Sequence, residues 1–228
     1  MALEPITLRG SAVTLEPVSV AHVDALLAAA DEDRSTFGYT VVPADVAAMH
    51  AYVEGLLDEH RRGTGLPFVQ RRLSDDRPVG CTRYLNVVHR PGRDAPVEVE
   101  IGGTWLAASA QRSPINSEAK LMLLTHAFEV WQVHRVAICT DARNERSRTA
   151  IERLGATFEG VLRNHRPAAG HRSEPGASRD TACYSILPDE WPPIRAHLAA
   201  RIGRSGTTGA SGTSGASGAS DTSVESRS

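Results

Sequence analysis

At 228 residues, with a formal net charge of −2 and a pI near 6.5, the chain is long enough to bury one large core, on the order of 70% of the surface its unfolded form exposes. It lacks the positive surplus that nucleic acid or an anionic membrane surface requires. Three cysteines, Cys81, Cys139 and Cys183, lie far apart in the sequence, which excludes C-x-x-C metal spacing and a disulfide framework and reads as small buried hydrophobes in a reduced compartment. The first residues carry no basic segment followed by an apolar run, and no apolar stretch approaches the roughly 20 residues of a membrane span. A soluble, cytoplasmic protein without metal is expected.

In chain order, residues 6–8 and 12–18 read as a strand pair broken near Gly10. Ser19 caps a helix carrying Val20, Val23, Leu26 and Leu27, and Val46, Met49, Tyr52, Val53 and Leu56 recur at helical spacing over 43–62. The polar segment between them, 31–42, holds Phe37 and Tyr39. Residues 66–72 and 79–88 are antiparallel strands joined by a polar turn ending in Pro78.

The chain is organised around 97–131. Val97, Val99 and Ile101 alternate with Glu98 and Glu100 as in a two-faced strand. Gly102 and Gly103 then mark a bulge or a close backbone approach. Past Trp105 and Leu106 comes the turn Gln111-Arg112-Ser113-Pro114-Ile115-Asn116, followed by Ala119, Met122, Leu123, Ala127 and Val130 at helical spacing. Ser113 before Pro114 fits an N-cap followed by proline at the first helical position, with Asn116 or Ser117 as alternative caps. A strand aiming a short turn at a helix N-terminus makes an anion site, because unpaired N–H groups and the positive end of the helix dipole face outward together. The turn lacks the Gly-Lys-Ser/Thr of a P-loop and the glycines of the dinucleotide fingerprint.

Residues 133–140 are a buried strand. Asn144 is the N-cap of a helix with Ala150, Ile151 and Leu154 inward and Gly155 at its end. Residues 157–166 and 179–187 pair across a long, Gly/Pro-rich loop, 167–178, of the kind that is functional or mobile. A last helix places Ile194, Leu198 and Ile202 at four-residue intervals. From Gly203 on, Gly, Ser, Thr and Ala dominate, and with nothing to bury the segment is expected to be a disordered tail.

The turn Gln111–Asn116 resembles the acyl-CoA pyrophosphate loop of the GNAT N-acetyltransferase superfamily, matching at Gln111 and departing at both glycine positions. Around it stand EIG-x-TWL (100–106), N-x-EAK-x-x-LL (116–124), HAFE (126–129), TDARN-x-RS (140–147), AIERLGA-x-x-EGVLR (150–163), RDT (179–181) and YSIL-x-x-EWP (184–192). Together these resemble the ribosomal-protein alanine acetyltransferase (RimJ/RimL-like) branch. The resemblance implies an α/β (α+β) fold: a single GNAT-like domain over 1–202 with a mixed, mostly antiparallel, twisted and splayed sheet flanked by helices, and the tail at 203–228.

It further implies an acetyl-CoA-dependent N-acetyltransferase whose acceptor is a protein or peptide N-terminal α-amine or a small amine, acting as monomer or homodimer. The alternative is a non-catalytic acyl-CoA-binding or interaction module. The strand ending in Trp105 and Leu106 would bind the acyl end and pantetheine. Gln111, Arg112, Ser113, Ile115 and Asn116 would hold the pyrophosphate, with Asn116 substituting for a donor that Pro114 lacks. Asn144 and Ser147 match positions that contact pantetheine and protonate the departing thiolate, although Asn144 is equally an N-cap and Ser147 a first-turn residue. Tyr184 is a second candidate acid. Glu100 and His165 are the candidate bases, and Arg166 stands where relatives can carry a carboxylate. The segment 31–42 is expected either to wall the acceptor cleft or to be a surface loop over two aromatics.

Overall fold

The computed structural model describes residues 3–207, with side chains through 204. Two short strands, β1 (Leu8–Arg9) and β2 (Val13–Pro17), precede the helices α1 (Val23–Ala30) and α2 (Val46–Arg61). Then come β3 (Gly65–Arg72), β4 (Arg77–Val88), β5 (Glu98–Leu106), α3 (Ile115–Thr125), β6 (Arg135–Asp141), α4 (Glu145–Glu152), β7 (Thr157–Pro167), β8 (Ser178–Ile186) and α5 (Trp191–Thr207). The strands form one open sheet in the order β1-β2-β3-β4-β5-β6-β8-β7. Every neighbouring pair is antiparallel except β5 and β6, as expected where a helical crossover, α3, joins two strands.

Local chemistry sets the helix ends. Asp45 accepts a hydrogen bond from Ala48 N–H at 2.8 Å and starts α2 there, two residues after the expected Pro43. Asn144 caps α4 through Ser147 N–H at 3.1 Å, and Gly155, at φ +94°, turns the chain out after it. Helix α5 runs through Gly203 to Thr207, five residues beyond the expected boundary at Ile202. The rest of the expected tail, 208–228, lies outside the described residues.

Apolar residues of both sheet faces and all five helices make one continuous core, including Leu15, Leu26, Met49, Phe68, Tyr84, Ile101, Leu123 and Leu198. Each such side chain contributes about 1.5–3 kcal/mol on burial. Two expectations fail for stated reasons. The helix after α3 passes into a π-helical turn over His126–Val130, which shifts the inward face and leaves Val130 exposed rather than buried. Cys139 and Cys183 are register partners on β6 and β8, with Sγ atoms 3.7 Å apart. They are only half-buried; of the three, Cys81 alone is a core residue.

Helix α3 also buries two ionisable side chains. Glu118 accepts from Ser11 N–H (2.6 Å), Ser11 Oγ–H (2.6 Å), Ala12 N–H (2.7 Å) and Val13 N–H (3.0 Å), so one carboxylate satisfies the whole β1–β2 turn. Gly10 leaves the room: a Cβ there would come within 2.4 Å of the Glu118 carboxyl carbon. Two residues on, and so on a different side of the helix, Lys120 reaches Thr104 Oγ1 at 2.8 Å. Burial pulls its pKa down to about 7.

Candidate active site

The sheet opens at one place. Parallel pairing between β5 and β6 covers only Glu98↔Arg135, Val99↔Val136 and Glu100↔Ala137. Beyond Glu100, β5 stays with β4 as far as Leu106, while β6 stays with β8 as far as Asp141. The two strands therefore diverge from Ile101 and Ile138 onward. The glycine pair is the local cause. Gly103 sits at φ +57°, the β4–β5 register shifts between Cys81 and Arg83, and a Cβ on Gly102 would lie 2.9 Å from a Leu85 methyl.

At the far end of β5 the chain turns into α3. Arg112 adopts φ +58°, so this non-glycine residue takes the left-handed conformation that the loop requires. Ser113 Oγ–H donates to Ala110 C=O at 2.6 Å and accepts from Ile115 N–H at 3.3 Å, while the N-cap position of α3 falls on Pro114, one residue after the expected Ser113. The Gln111 amide donates to Leu106 C=O (2.9 Å) and Thr36 Oγ1 (3.1 Å) and accepts from Arg146 (3.2 Å), tying the turn to the α1–α2 segment and to α4. Asn116 Oδ1 is buried without a hydrogen-bond partner at the helix entrance. The first-turn N–H groups of α3, which no helix can satisfy internally, lie at the same entrance.

Glu100 is buried, not set on an open polar face as its alternation suggests. Arg166 grips it with two bonds, at 3.0 and 2.7 Å, and Asn86 Nδ2–H donates to it at 2.7 Å. The carboxylate holds the pKa of Arg166 above its ordinary value. Arg166 belongs to β7 and lies 66 residues away in sequence, so no local pattern announces the pair. Trp105 is buried against Tyr52 (Nε1 to Oη, 3.3 Å) and edge-on to Phe37 at 5.9 Å. Its side chain therefore faces α2, leaving only backbone for the gap.

Ser147 is half-buried in the first turn of α4, and its hydroxyl has no protein partner among the described residues. Tyr184 is differently placed: its hydroxyl donates to Glu152 at 3.0 Å and accepts from Arg148 at 3.1 Å, and burial raises its pKa. Those bonds make it a brace under α4. His165 is exposed on the edge strand β7, beside Val161–Asn164, and is bonded to none of the other candidates.

The segment 31–42 and the loop 167–178 meet. Arg172 N–H donates to Gly38 C=O at 3.0 Å, and Gly170, at φ +79°, packs so close that a Cβ would reach 2.5 Å from the same oxygen. The Tyr39 ring lies under both the Arg143 and Arg172 guanidinium groups, at 5.2 and 5.8 Å. Phe37 of the first segment packs on Trp105 of β5 and Ser173 of the second accepts from Arg143 after β6, so the two meet near the ends of the diverging strands. Neither this contact nor the partners of Glu100, Glu118 and Lys120 was visible in the sequence; a polar residue at an inward helical position was the one available signal, at Glu118. Among the described residues no group of three or more His, Cys, Asp or Glu is placed to hold a metal, and no helix is long and apolar enough to cross a membrane.

Residues 12–157, which carry the splayed β5–β6 pair and the turn into α3, match the family model described as an acetyltransferase (GNAT) domain. The chain belongs to the GNAT acetyltransferase family. It is 36% identical over 89 residues to YdaF of Bacillus subtilis (strain 168), which its name assigns provisionally to the ribosomal N-acetyltransferases; the match spans 39% of this chain and 45% of that protein, less than half its length. A structure from T. thermophilus, described provisionally as an acetyltransferase, is 37% identical, covers 88% of this chain and 99% of its own, and superposes with a TM-score of 0.72. Mycobacterium smegmatis RimJ in complex with CoA-disulfide is 27% identical over 88% of this chain and 94% of its own, with a TM-score of 0.67.

Proposed function

We propose that the chain is an acetyl-CoA-dependent N-acetyltransferase that moves the acetyl group to a primary amine, either the α-amine of a protein or peptide or a small amine. The observation that carries this reading is the end of β5–β6 pairing at Glu100↔Ala137, which opens a gap between a buried carboxylate and the entrance of α3. The residues present suit acetyl-CoA: the first-turn N–H groups of α3 and the Asn116 side-chain N–H would receive the pyrophosphate, with Gln111, Arg112, Ser113 and Ile115 shaping the turn. The β5 backbone through Trp105 and Leu106, together with Asn144, would line pantetheine. Bound there, acetyl-CoA supplies an activated acyl group.

Glu100 takes the amine proton through a water as the nitrogen lone pair forms its bond to the thioester carbon, since both carboxylate oxygens are already held by Arg166 and Asn86. Arg166 and Asn86 fix the carboxylate in place. Ser147 gives its hydroxyl proton to the sulfur as the carbon–sulfur bond breaks and takes one back from solvent, while Glu100 releases the amine proton to solvent; its free Oγ–H favours Ser147 over the committed Tyr184 hydroxyl. Exposed His165 stays outside this scheme.

The name of YdaF points to ribosomal proteins as one acceptor class, and with them to a cytoplasmic setting. Pro114 and the left-handed Arg112 in place of glycines favour the second reading, a module that binds acyl-CoA without turnover. An acetyl-CoA consumption assay across peptide and small-amine acceptors, with a thermal melt at millimolar acetyl-CoA, separates the two. Turnover supports the enzyme; a raised Tm without turnover supports the module.

A further inference from the structure

Three arginines and two carboxylates share the cleft side of the sheet. Register pairs Cys139 with Cys183 and Asp141 with Thr181 on β6 and β8, and Arg166 with Arg179 on β7 and β8. Since paired residues share a face and alternate residues return to it, Arg166 and Arg179 stand together on the side of Cys139 and Asp141. Arg166 is spent on Glu100 at 2.7 Å, and Arg143 on Asp141 at 2.8 Å. Arg179 makes no hydrogen bond or ion pair to any described residue, and its Nε–H is buried without a partner.

Desolvation and the neighbouring Arg166 charge lower the Arg179 pKa and outweigh the attraction of Asp141 and Glu100, both of which are already bonded to other arginines. Buried donors are nearly always satisfied, so the missing partner is an anion that comes from outside the chain. Acetyl-CoA does not supply it in the arrangement proposed above, where its phosphates lie at the entrance of α3. Arg179 instead sits on the Glu100 side, with Arg143 and Arg172 over Tyr39 at the rim. Arg179 lies six residues along β8 from Ser185, the residue level with Ala137 and Glu100, on the stretch where β5 and β6 have parted, and it is near enough to Glu100 and Asp141 to feel both charges.

Resting on the acetyltransferase reading, we propose that Arg179 receives an anionic group carried by the acceptor, so that the preferred acceptors are amines bearing a carboxylate or a phosphate within about one residue of the reacting nitrogen. The shared chemistry is an oxyanion facing a guanidinium fork. Arg179 is on this view a specificity residue that touches the acceptor and takes no part in proton transfer.

The test uses the full chain and three matched peptide pairs with free α-amines: Asp against Asn at the first residue, Asp against Asn at the second, and phosphoserine against serine at the second. Wild type should favour the anionic member of at least one pair by tenfold or more in kcat/KM, and the favoured pair identifies carboxylate or phosphate as the source. Arg179→Gln should abolish that preference through KM, leaving turnover of the neutral peptides, the KM for acetyl-CoA and the Tm unchanged, and Arg179→Lys should restore part of it. Equal activity on both members of every pair in wild type, or an equal loss on both in Arg179→Gln, overturns the proposal. Calorimetric binding of the same peptides separates it from the activity. If no acceptor is acetylated but anionic peptides bind in an Arg179-dependent way, the anion site at Arg179 stands while the enzymatic reading, and the acceptor preference with it, falls; absence of Arg179-dependent binding as well overturns the proposal.

Discussion

Glu118 and Glu100 are both nearly inaccessible to water, yet their surroundings differ in kind. Glu118 accepts three backbone N–H groups and one serine hydroxyl, all from a single turn. Glu100 is held by two side chains, Arg166 and Asn86, at the point where the sheet parts. A carboxylate that satisfies backbone donors cannot leave without stranding them, whereas one held by side chains can exchange a partner for water or a substrate proton. Burial alone thus says little about function. The nature of the partners separates a structural carboxylate from a chemical one.

The strongest way to break this contrast is to remove Glu118. Glu118→Ala strands the buried Val13 N–H, frees the half-buried Ala12 N–H and two Ser11 donors, and should cost about 3 kcal/mol, a fall in Tm of roughly 10 °C for a chain of this size, with the kcat/KM of the surviving folded protein unchanged. Glu100→Gln should leave Tm within a few degrees. Equal Tm losses in the two variants would erase the distinction.

Lys120 sharpens it from the other side of α3. Its folded pKa is pulled down to about 7 from 10.5 by burial. Below pH 7 both states carry the proton and the group adds no pH dependence. Between pH 7 and 10 the unfolded chain binds a proton that the folded one lacks, so stability rises with pH, by about 3 kcal/mol. Denaturant titrations should show that rise, and Lys120→Met should flatten it. A wild-type stability that falls over this interval would show that Lys120 is charged in the fold.

Smaller effects concern the proposed chemistry. For an α-amine acceptor, about a tenth of which is neutral at pH 7, Glu100→Gln should lower kcat/KM about tenfold and recover most of the loss near pH 9. A mutant profile parallel to wild type at every pH would remove Glu100 as the base and make His165→Ala the next variant. Ser147→Ala should reduce kcat with little change in acetyl-CoA affinity. Asn144→Ala should weaken acetyl-CoA binding and cost about 1 kcal/mol of stability through the lost cap. Identical small effects from the two would mean that both residues serve α4 alone.

Much of this architecture was legible in local patterns. Val99 and Ile101 alternating with Glu98 and Glu100 marked β5, Gly102 and Gly103 marked the bulge, and Ser113-Pro114 and Asn144 marked two helix starts, because each of these is settled within a few residues. What escaped was set by distant pairing. The Glu100–Arg166 and Glu118–Ser11 contacts span 66 and 107 residues, and the approach of Cys139 to Cys183 follows from sheet register. Local reading also erred at Val20 and Val46, which lie exposed at the helix starts, and at Val130, where a 3.6-residue period does not persist through His126–Val130 because the helix widens.

The short join between β5 and β6 also bears on how the molecule comes apart. Three register pairs connect a meander of β1 to β5 with the set β6, β8 and β7. Cooperative opening units follow such weak boundaries. In native-state hydrogen exchange the amides of β6 and β8 should therefore form one protection class and those of β3 and β4 another, with separate opening free energies. A ligand lodged in the gap would bridge the two units, and its clearest dynamic signature would be the merging of those two classes into one.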